Sequence, residues 1–274
     1  VHASCAGRAV DTCGTGGDGQ GTFNISTAAA IVAAAAGAPV AKHGNRASSS
    51  LCGSADVLEE LGVNLDLEPA ALGRLLDEVG IAFMFAPRHH PAMRHAMPVR
   101  KALGVRTIFN LLGPLSNPGR PDFQVMGVYA PDLCVPLART LGLLGCQAAL
   151  VVHGSGLDEI ALHGPTMAAH LHDGRVDELT IEPESLGLQR RPLSALAGGG
   201  PEENAAWLRE LLAGEAPVAH AEAVALNAGA VLWIAGRAED LTEGTAAALA
   251  ALRAGGALRR LERWVEVSRS HGSR

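Results

Sequence analysis

Short apolar segments alternate with helical patterns along most of this chain, and this alternation restricts the fold more than any other feature. The stretches "APVAKH" and "IAFMFA" are typical of buried strands, and helical patterns such as "NISTAAAIVAAAA" and "SADVLEELG" flank them. We expect Ser54 to be the N-cap of the second of these helices, with Gly37 and Gly62 ending the two. Strands joined by helices at this spacing form βαβ units. The pattern therefore predicts an α/β fold, with a mainly parallel central sheet flanked by helices.

The segment from residue 87 to 118 interrupts this pattern. It is rich in proline and basic residues, and Pro98 is expected to break or kink any helix that passes through it. We predict short helices and loops here, forming a hinge or a wall beside the main domain. The predicted α/β domain then comprises residues 1–86 and 119–274.

The composition is that of a globular protein, with 48% hydrophobic, 18% charged and 3% aromatic residues. A net charge of −6 argues against non-specific nucleic-acid binding, which usually needs a basic balance. No apolar run is long enough to span a bilayer, and no secretory signal pattern opens the chain. The five cysteines form no C-x-x-C pair, which fits buried thiols in a reducing compartment. We therefore expect a cytoplasmic protein without a nucleic-acid or membrane partner.

A glycine-rich loop, "DTCGTGGDGQGTFNIST", joins the first predicted strand to the first helix. Such a loop offers free N–H groups and a helix N-terminus, which together bind phosphate. A dinucleotide fold would match G-x-G-x-x-G here, but it needs an acidic residue after the next strand, where this chain has Lys42 and His43. A Walker loop needs G-K-[ST], which is absent. The remaining class is a site for a sugar that carries more than one phosphate, together with a metal.

Two further loops follow strands and carry complementary groups. The second strand runs into "KHGNRASSSLCGSAD", where Lys42 and Arg46 supply positive charge and the serines supply donors. Asp158 and Glu159 follow a later apolar strand, and adjacent carboxylates in such a loop suit Mg²⁺. Turn-forming residues or a surface acidic pair would account for each loop alone, but less well for their succession. Because neighbouring parallel strands end at one edge of a sheet, we expect the loops to form one pocket.

The motifs that carry a family resemblance occur in order: "GTGGD", "NIST", "KHGNR", "GSAD", "FMFAPRHHPAMRH", "TIFNLLGPLSNP" and "GLDEI". With them the chain resembles the anthranilate phosphoribosyltransferase family over nearly its whole length. The resemblance implies the fold shared with pyrimidine nucleoside phosphorylases, a large α/β domain with a small helical domain. Segment 87–118 would be a remnant of the small domain, because the family's helices before the first strand are absent here. It also implies a homodimer in the full-length form.

The resemblance further implies an enzyme of tryptophan biosynthesis, a glycosyltransferase that depends on Mg²⁺. Its reaction moves phosphoribose from phosphoribosyl pyrophosphate to the amino group of anthranilate, giving N-(5-phosphoribosyl)anthranilate and pyrophosphate. A nucleoside phosphorylase of the same architecture and a non-catalytic nucleic-acid binder are the alternatives. "KHGNR" with "NLLGPLSNP" favours anthranilate over the first, and the negative charge and acidic pair oppose the second.

Site residues follow from the resemblance, motif by motif. The positions implied for phosphoribosyl pyrophosphate are Gly14, Gly17, Asp18, Thr22, Asn24, Ile25, Ser26, Thr27, Lys42 and Ser54. The rest of the expected substrate site on the second loop is His43, Gly44, Arg46, Ser49 and Ser50. Anthranilate is implied at Asn45 and Arg100, and Mg²⁺ at Ser26, Asp158 and Glu159.

The expected catalysis is electrostatic, with Lys42 and the metal stabilising the charge of the leaving group. The arylamine of anthranilate is largely neutral, so no strong base is required. His43 is the candidate if a base acts, although shaping the tight "KHGN" turn is its expected role. His89, His90 and His95 match no tetrahedral zinc spacing, and we expect them to line the site. The three tryptophans stand at helical apolar positions and are expected in the core.

Overall fold

A mixed sheet forms the centre of the structure. The computed structural model describes residues 9–47, 50–93, 95 and 107–272. Within them the strands are β1 (Val10–Asp11), β2 (Val40–Gly44), β3 (Ile81–Phe85), β4 (Phe123–Gly127), β5 (Ala148–Gly154), β6 (Thr166–His172) and β7 (Arg175–Ile181). Their spatial order is β3-β2-β1-β4-β5-β6-β7. The first five strands are parallel, and β6 and β7 extend the sheet in antiparallel fashion. The predicted α/β fold is confirmed.

Helices cover both faces of this sheet. Their bounds are α1 (Ile25–Ala35), α2 (Ser54–Glu60), α3 (Pro69–Val79), α4 (Ala86–His89), α5 (Phe109–Leu115), α6 (Cys134–Leu143), α7 (Pro201–Ala213), α8 (Val218–Ile234), α9 (Leu241–Arg253) and α10 (Gly256–His271). On strand β5, Leu150 and Val152 join the larger core, to which α1 and α8 belong. Ala149 and Val151 join a second cluster formed with α6. Because successive strand residues point to opposite faces, β5 is buried on both sides, as parallel strands usually are.

Alanine allows α1 and α8 to pack closely in the larger core. Helix α1 is "ISTAAAIVAAA", and nine of its residues are buried. In α8, Gly229 meets Gly244 of α9 so closely that a Cβ on Gly229 would lie 2.5 Å from the Thr245 nitrogen.

Among the described residues, no single helix is long and apolar enough to cross a membrane; only α7 and α8 taken together reach that length and composition, across a 79° bend.

The start of α2 differs from the prediction that Ser54 is its N-cap. The N-cap is Gly53, whose N–H donates to the Asp56 carboxylate at 2.8 Å. The same carboxylate accepts the Ala47 N–H at 2.8 Å. Because Asp56 satisfies these donors, the Ser54 hydroxyl turns to the loop instead and donates to the carbonyl of Asn45 at 3.3 Å. The expected ends are confirmed, since Gly37 and Gly62 adopt φ of 98° and 96°.

Trp264 is fully buried, as expected of a core residue. Trp207 and Trp233 are only partly buried and pack against the edge of the same core. The described part of segment 87–118 holds the short helix α5 and the end of α4, in line with the expected short helices. Its assignment to a separate domain stays a prediction, and Pro98 lies outside the described residues.

Candidate active site

The loops that follow β1, β2 and β5 meet at the carboxyl edge of the sheet. Gly14, after β1, lies so close to the third loop that a Cβ there would be 3.3 Å from the Asp158 Oδ2. Lys42, in the middle of β2, reaches the Ser26 hydroxyl at 3.3 Å. The Ser26 N–H in turn donates to Glu159 at 3.1 Å. The convergence expected from the sequence is therefore present in the structure.

Lys42 carries a buried positive charge at the centre of this convergence. The side chain is only 2% exposed. Its Nζ donates to the Thr12 carbonyl at 3.1 Å, to the Thr12 hydroxyl at 3.0 Å and to Ser26 Oγ at 3.3 Å. An ammonium has three donors and is costly to bury without acceptors. The strand-end loops thus hold Lys42 as a fixed cation next to the N-terminus of α1.

Glu159 caps helix α1 in place of the helix's own N-cap residue. Asn24 is the N-cap, but its side chain makes no capping hydrogen bond. The Ser26 N–H, one of the unpaired donors of the first turn, is taken by the Glu159 carboxylate. Negative charge is favourable at a helix N-terminus, because of the helix dipole. A residue 133 positions away therefore fixes the acidic loop against the glycine loop.

Three acidic side chains lie together at this edge, where burial and their mutual repulsion disfavour the charged forms. Burial raises the pKa of Asp158, and the charge of Asp18 raises it further. Burial likewise raises the pKa of Glu159, and the charge of Asp158 adds to the effect. Asp18 lies beside the pair, where its Oδ2 accepts the Asp158 N–H at 3.3 Å. Buried carboxylates with raised pKa values are the groups that gain most from an added cation.

This donor set fits Mg²⁺. The ion prefers oxygen ligands, usually takes one or two carboxylates from the protein, and keeps water or substrate phosphate as the others. Asp158, Glu159 and the Ser26 hydroxyl supply such oxygens close together. Within the described residues, no group of three or more His, Cys, Asp or Glu side chains is placed to hold a metal ion by itself, so water or substrate has to supply the remaining ligands. An open site of this kind leaves positions for the phosphates of a substrate.

Two residues that sequence reasoning missed hold the acidic loop in place. Asn227 of α8, 2% exposed, accepts the Ile160 N–H at 2.9 Å and donates to the Ile160 carbonyl at 3.1 Å. Gly127, the last residue of β4, lies so close that a Cβ would be 1.5 Å from the Asp158 carbonyl oxygen. A polar residue inside the apolar run "AVALNAGAVLWIAG" is the sequence signal for Asn227, because buried amides need partners.

The glycine loop curves around this edge through left-handed backbone. Gly16, Gly17, Gly19 and Gly21 all have φ between 64° and 79°, which other residues adopt only with strain. Asp18, between them, accepts the Gln20 N–H at 3.0 Å. The remaining expected residues divide by burial: Ile25 and Thr27 are buried, whereas Thr22, Asn24 and Ser26 are half-buried.

The second loop packs its glycine against its serine. A Cβ on Gly44 would lie 2.4 Å from Ser54 Oγ, which explains a glycine at this strand end. Ser50 Oγ donates to the Cys52 carbonyl at 3.4 Å. Arg46 forms an exposed ion pair with Glu59 of α2. Its positive charge is therefore paired with a carboxylate in this structure. Expected site residues that lie outside the described residues are Ser49 and Arg100.

His43 joins the end of β2 to helix α5. Its N–H donates to the buried Asp11 carboxylate at 2.9 Å, and its Nδ1 lies 2.9 Å from the Gly113 carbonyl. Its ring meets His90 edge to face, with centroids 5.2 Å apart. Burial, with the neighbouring His90, lowers the pKa of His43 to about 4. The ring is therefore neutral near pH 7, with the proton on Nδ1 facing the carbonyl.

The cysteines near the site are not reactive thiols. Among the described residues, Cys13, Cys52, Cys134 and Cys146 are free. Burial raises the pKa of Cys52 to about 11 and that of Cys146 to about 12. A thiol is nucleophilic as the thiolate, so these side chains act as small apolar groups.

Comparison with known proteins identifies the family. The sequence model of the "Glycosyl transferase family, a/b domain" matches residues 6–258. The anthranilate phosphoribosyltransferase of Sorangium cellulosum is 64% identical over 259 residues, covering 94% of this chain and 74% of that protein. The chain belongs to the anthranilate phosphoribosyltransferases. It is thus an enzyme of a glycosyltransferase family.

Other anthranilate phosphoribosyltransferases agree in sequence and in structure. The Aeromonas hydrophila enzyme is 53% identical over 245 residues, which cover 89% of this chain and 72% of that protein. The crystal structure from Thermus thermophilus superposes with a TM-score of 0.94 at 50% identity, over 98% of this chain and 80% of that one. The Saccharomyces cerevisiae enzyme in complex with PRPP and Mg has a TM-score of 0.87 at 33% identity, over 96% of this chain and 74% of that one.

Proposed function

We propose that this chain transfers phosphoribose from phosphoribosyl pyrophosphate to the amino group of anthranilate. The products are N-(5-phosphoribosyl)anthranilate and pyrophosphate, in tryptophan biosynthesis. The observation that carries the proposal is the meeting of Lys42, Ser26 and Glu159 where three strand-end loops converge. Membership of the family supports it, as does the PRPP and Mg complex of the yeast relative.

The diphosphate of the donor substrate is proposed to lie against the glycine loop and Lys42. The left-handed glycines let the backbone approach a ligand closely, and the N-terminus of α1 favours negative charge. Lys42 is fixed by three hydrogen bonds, so it provides its charge without rearranging. Such a preorganised cation stabilises the negative charge that develops as pyrophosphate leaves.

Asp158, Glu159 and Ser26 are proposed to hold Mg²⁺. The metal, when bound, neutralises the phosphate oxygens and the leaving group. The carboxyl groups fit this role because burial raises their pKa values, so that a bound cation would stabilise their charged forms. Asp18, whose carboxylate accepts the Asp158 N–H, is proposed to bind ribose hydroxyls or a metal-bound water.

Anthranilate is proposed to enter beside segment 87–118. The described part of this segment contacts β2 through His43 and Gly113, and β4 through a hydrogen bond of 2.9 Å from Gln124 to the Pro114 carbonyl. Asn45 and Arg100 are the proposed anthranilate residues, with the Arg100 guanidinium matching the carboxylate in bidentate fashion. This assignment of Arg100 rests on the sequence motif.

The transfer itself needs positioning more than proton removal. The neutral amine attacks C1 of the ribose while the bond to pyrophosphate breaks, and the nitrogen then releases one proton. A histidine with a pKa of about 4 is a weak base, so we assign His43 mainly to holding α5 at the strand end. The homodimer and the cytoplasmic location expected above remain proposals.

Anthranilate fluorescence provides the direct test. We expect it to fall with time when the chain, phosphoribosyl pyrophosphate and Mg²⁺ are all present, and to stay constant when any one is omitted. Uridine and thymidine with inorganic phosphate serve as the control for nucleoside phosphorolysis. Loss of these nucleosides, with anthranilate unchanged, would reject the proposed reaction.

A further inference from the structure

We propose that Asn204, on α7, is a positioning residue for the phosphoribosyl pyrophosphate site. It acts through Asn24 by fixing which way the Asn24 amide points. The inference rests on the proposed function, since Asn24 is one of the residues assigned to that substrate. Asn204 lies 180 positions from Asn24 in sequence, and no motif argument placed it in the site.

A chain of hydrogen bonds runs through the amides of these two residues. The Gly199 N–H donates to Asn204 Oδ1 at 2.8 Å. The Asn204 Nδ2 donates to Asn24 Oδ1 at 2.9 Å. The Asn24 Nδ2 then donates to the Cys52 carbonyl at 3.2 Å. Asn204 is only 1% exposed, so no bulk water replaces these partners.

The two ends of this series of hydrogen bonds fix its direction. A backbone N–H can only donate, so the Gly199 end requires the oxygen of Asn204 and turns its amide nitrogen toward Asn24. A backbone carbonyl can only accept, so the Cys52 end requires the nitrogen of Asn24. The two requirements agree, and each amide has one allowed orientation. We assign the second N–H of Asn24, which neither of these two bonds uses, to a phosphate or ribose oxygen of the substrate.

Asn24 uses its side chain differently from most asparagines at the start of a helix. An asparagine at an N-cap normally accepts an N–H of the first helical turn with its own oxygen. Here Glu159 accepts the Ser26 N–H, and Asn24 makes no capping bond. The oxygen of Asn24 is thereby free to accept from Asn204. Asn24 therefore makes no capping bond of its own, and its oxygen is used instead to fix the orientation of its amide at the substrate loop.

This series of hydrogen bonds, called the relay below, also connects the two substrate loops to the segment before α7. Next to Asn24, the Phe23 N–H donates to the Leu196 carbonyl at 3.0 Å, and the Gly198 N–H donates to the Gly21 carbonyl at 2.7 Å. These bonds align the backbone around Gly199 with the glycine loop. Asn204 therefore transmits the position of α7 to the side chain that faces the substrate.

A double-mutant cycle tests whether Asn204 acts through Asn24. Asn204→Ala, Asn24→Ala and the double variant are compared with the parent chain by calorimetric titration with phosphoribosyl pyrophosphate in Mg²⁺, and by KM for each substrate. We expect each single variant to weaken phosphoribosyl pyrophosphate binding about tenfold or more, which is a typical loss for one charge-assisted hydrogen bond. We expect the double variant to be no weaker than Asn24→Ala, because the two act as one unit. The KM for anthranilate should change less than twofold.

Asn204→Asp is the second variant, because it is isosteric and, while ionised, reverses the hydrogen-bond direction in addition to adding a buried charge. A carboxylate accepts at both ends, so the Asn24 amide would turn its oxygen toward the Cys52 carbonyl. We expect weakened binding at pH 8 that recovers relative to the parent at pH 5.5, where a protonated carboxyl can donate. The matched control is Asn64→Ala, whose amide donates to the Ser268 carbonyl of α10 and to no residue of the proposed site, and which should leave binding unchanged.

Five outcomes decide between this proposal and its alternatives. Additive losses in the cycle would show that Asn204 and Asn24 act independently, and equal losses for both substrates would show a general effect on the fold; either result would overturn the proposal. Lowered melting temperature with unchanged affinity would overturn it also. A parent chain that binds phosphoribosyl pyrophosphate without consuming anthranilate would reject the proposed function, while the cycle on affinity would still judge the relay. A parent chain that does not bind it at all would overturn both.

Discussion

The Glu159 carboxylate accepts the N–H of Ser26 at 3.1 Å and so caps the helix that follows the glycine loop. One contact thereby joins the proposed metal residues to the proposed phosphate residues. It also places a buried acid, whose pKa burial raises, close to the buried cation of Lys42. Glu159 therefore links three charged features of this edge: the N-terminus of α1, the Lys42 cation and the proposed metal site.

Glu159→Gln should separate metal binding from folding. The amide retains an oxygen for the Ser26 N–H but removes a buried charge. We expect the Mg²⁺ concentration for half-maximal activity to rise about tenfold or more, because perturbing a metal site commonly costs at least this in affinity. Without Mg²⁺ the melting temperature should stay equal or rise, since glutamine keeps an oxygen for the Ser26 N–H and removes a carboxyl group whose charge burial disfavours. Combined Asp158→Asn and Glu159→Gln should raise the requirement further, and an unchanged Mg²⁺ titration would reject the metal assignment.

Gly127→Ala should displace the acidic loop. The added Cβ would lie 1.5 Å from the Asp158 carbonyl oxygen, so the loop backbone has to move. We expect an unfolding free energy lower by about 1–3 kcal/mol, as for other overpacked sites, together with a loss of Mg²⁺-dependent activity. The matched control is Gly256→Ala, where the nearest atom to a new Cβ is 3.5 Å away. Equal effects of the two substitutions on denaturant unfolding and activity would contradict this explanation.

His43→Gln should make the protein less sensitive to mild acid. The ordinary histidine pKa of 6.5 applies in the unfolded chain, whereas burial lowers that of folded His43 to about 4. Its contribution to stability is therefore fully present above pH 6.5 and is lost as the pH falls through about 4. The loss amounts to at most about 3 kcal/mol.

The measurement is urea unfolding of both proteins between pH 7 and pH 4. Comparing the slopes isolates His43, because other groups titrate in both proteins. Asp11, for example, has its pKa raised to about 6 by burial, and it acts with the opposite sign. Parallel stability curves for the two proteins would show that His43 does not titrate in this window.

Arg100→Lys should weaken anthranilate recognition selectively. A lysine keeps the charge but cannot form two parallel hydrogen bonds to a carboxylate. We expect the KM for anthranilate to rise about tenfold or more, on the scale of one charged hydrogen bond, with the KM for phosphoribosyl pyrophosphate nearly unchanged. Steady-state kinetics with each substrate varied in turn provide the test. Equal rises for both substrates would refute this role for a residue that lies outside the described part of the structure.

Local signals in the sequence were sufficient for the alternation of strands and helices and for the ends of α1 and α2, but not for the start of α2. The alternation of strand and helix patterns predicts the βαβ organisation, and glycine at positions 37 and 62 marks helix ends because it adopts positive φ without strain. The misplaced N-cap at Ser54 shows the limit of such signals. Gly53 is the N-cap because the Asp56 carboxylate, at the third position of the helix, accepts the N–H groups of both Gly53 and Ala47.

The sequence by itself determined which residue types stand at the strand ends, because those follow from motif and spacing along one chain. The tertiary structure alone decided that β4 lies between β1 and β5, that Glu159 caps a helix 133 residues away, and that Asn204 orients Asn24. These relations join residues that are distant in sequence. They depend on how helices and strands pack in three dimensions, where each buried polar group has to find a partner that local pattern does not reveal.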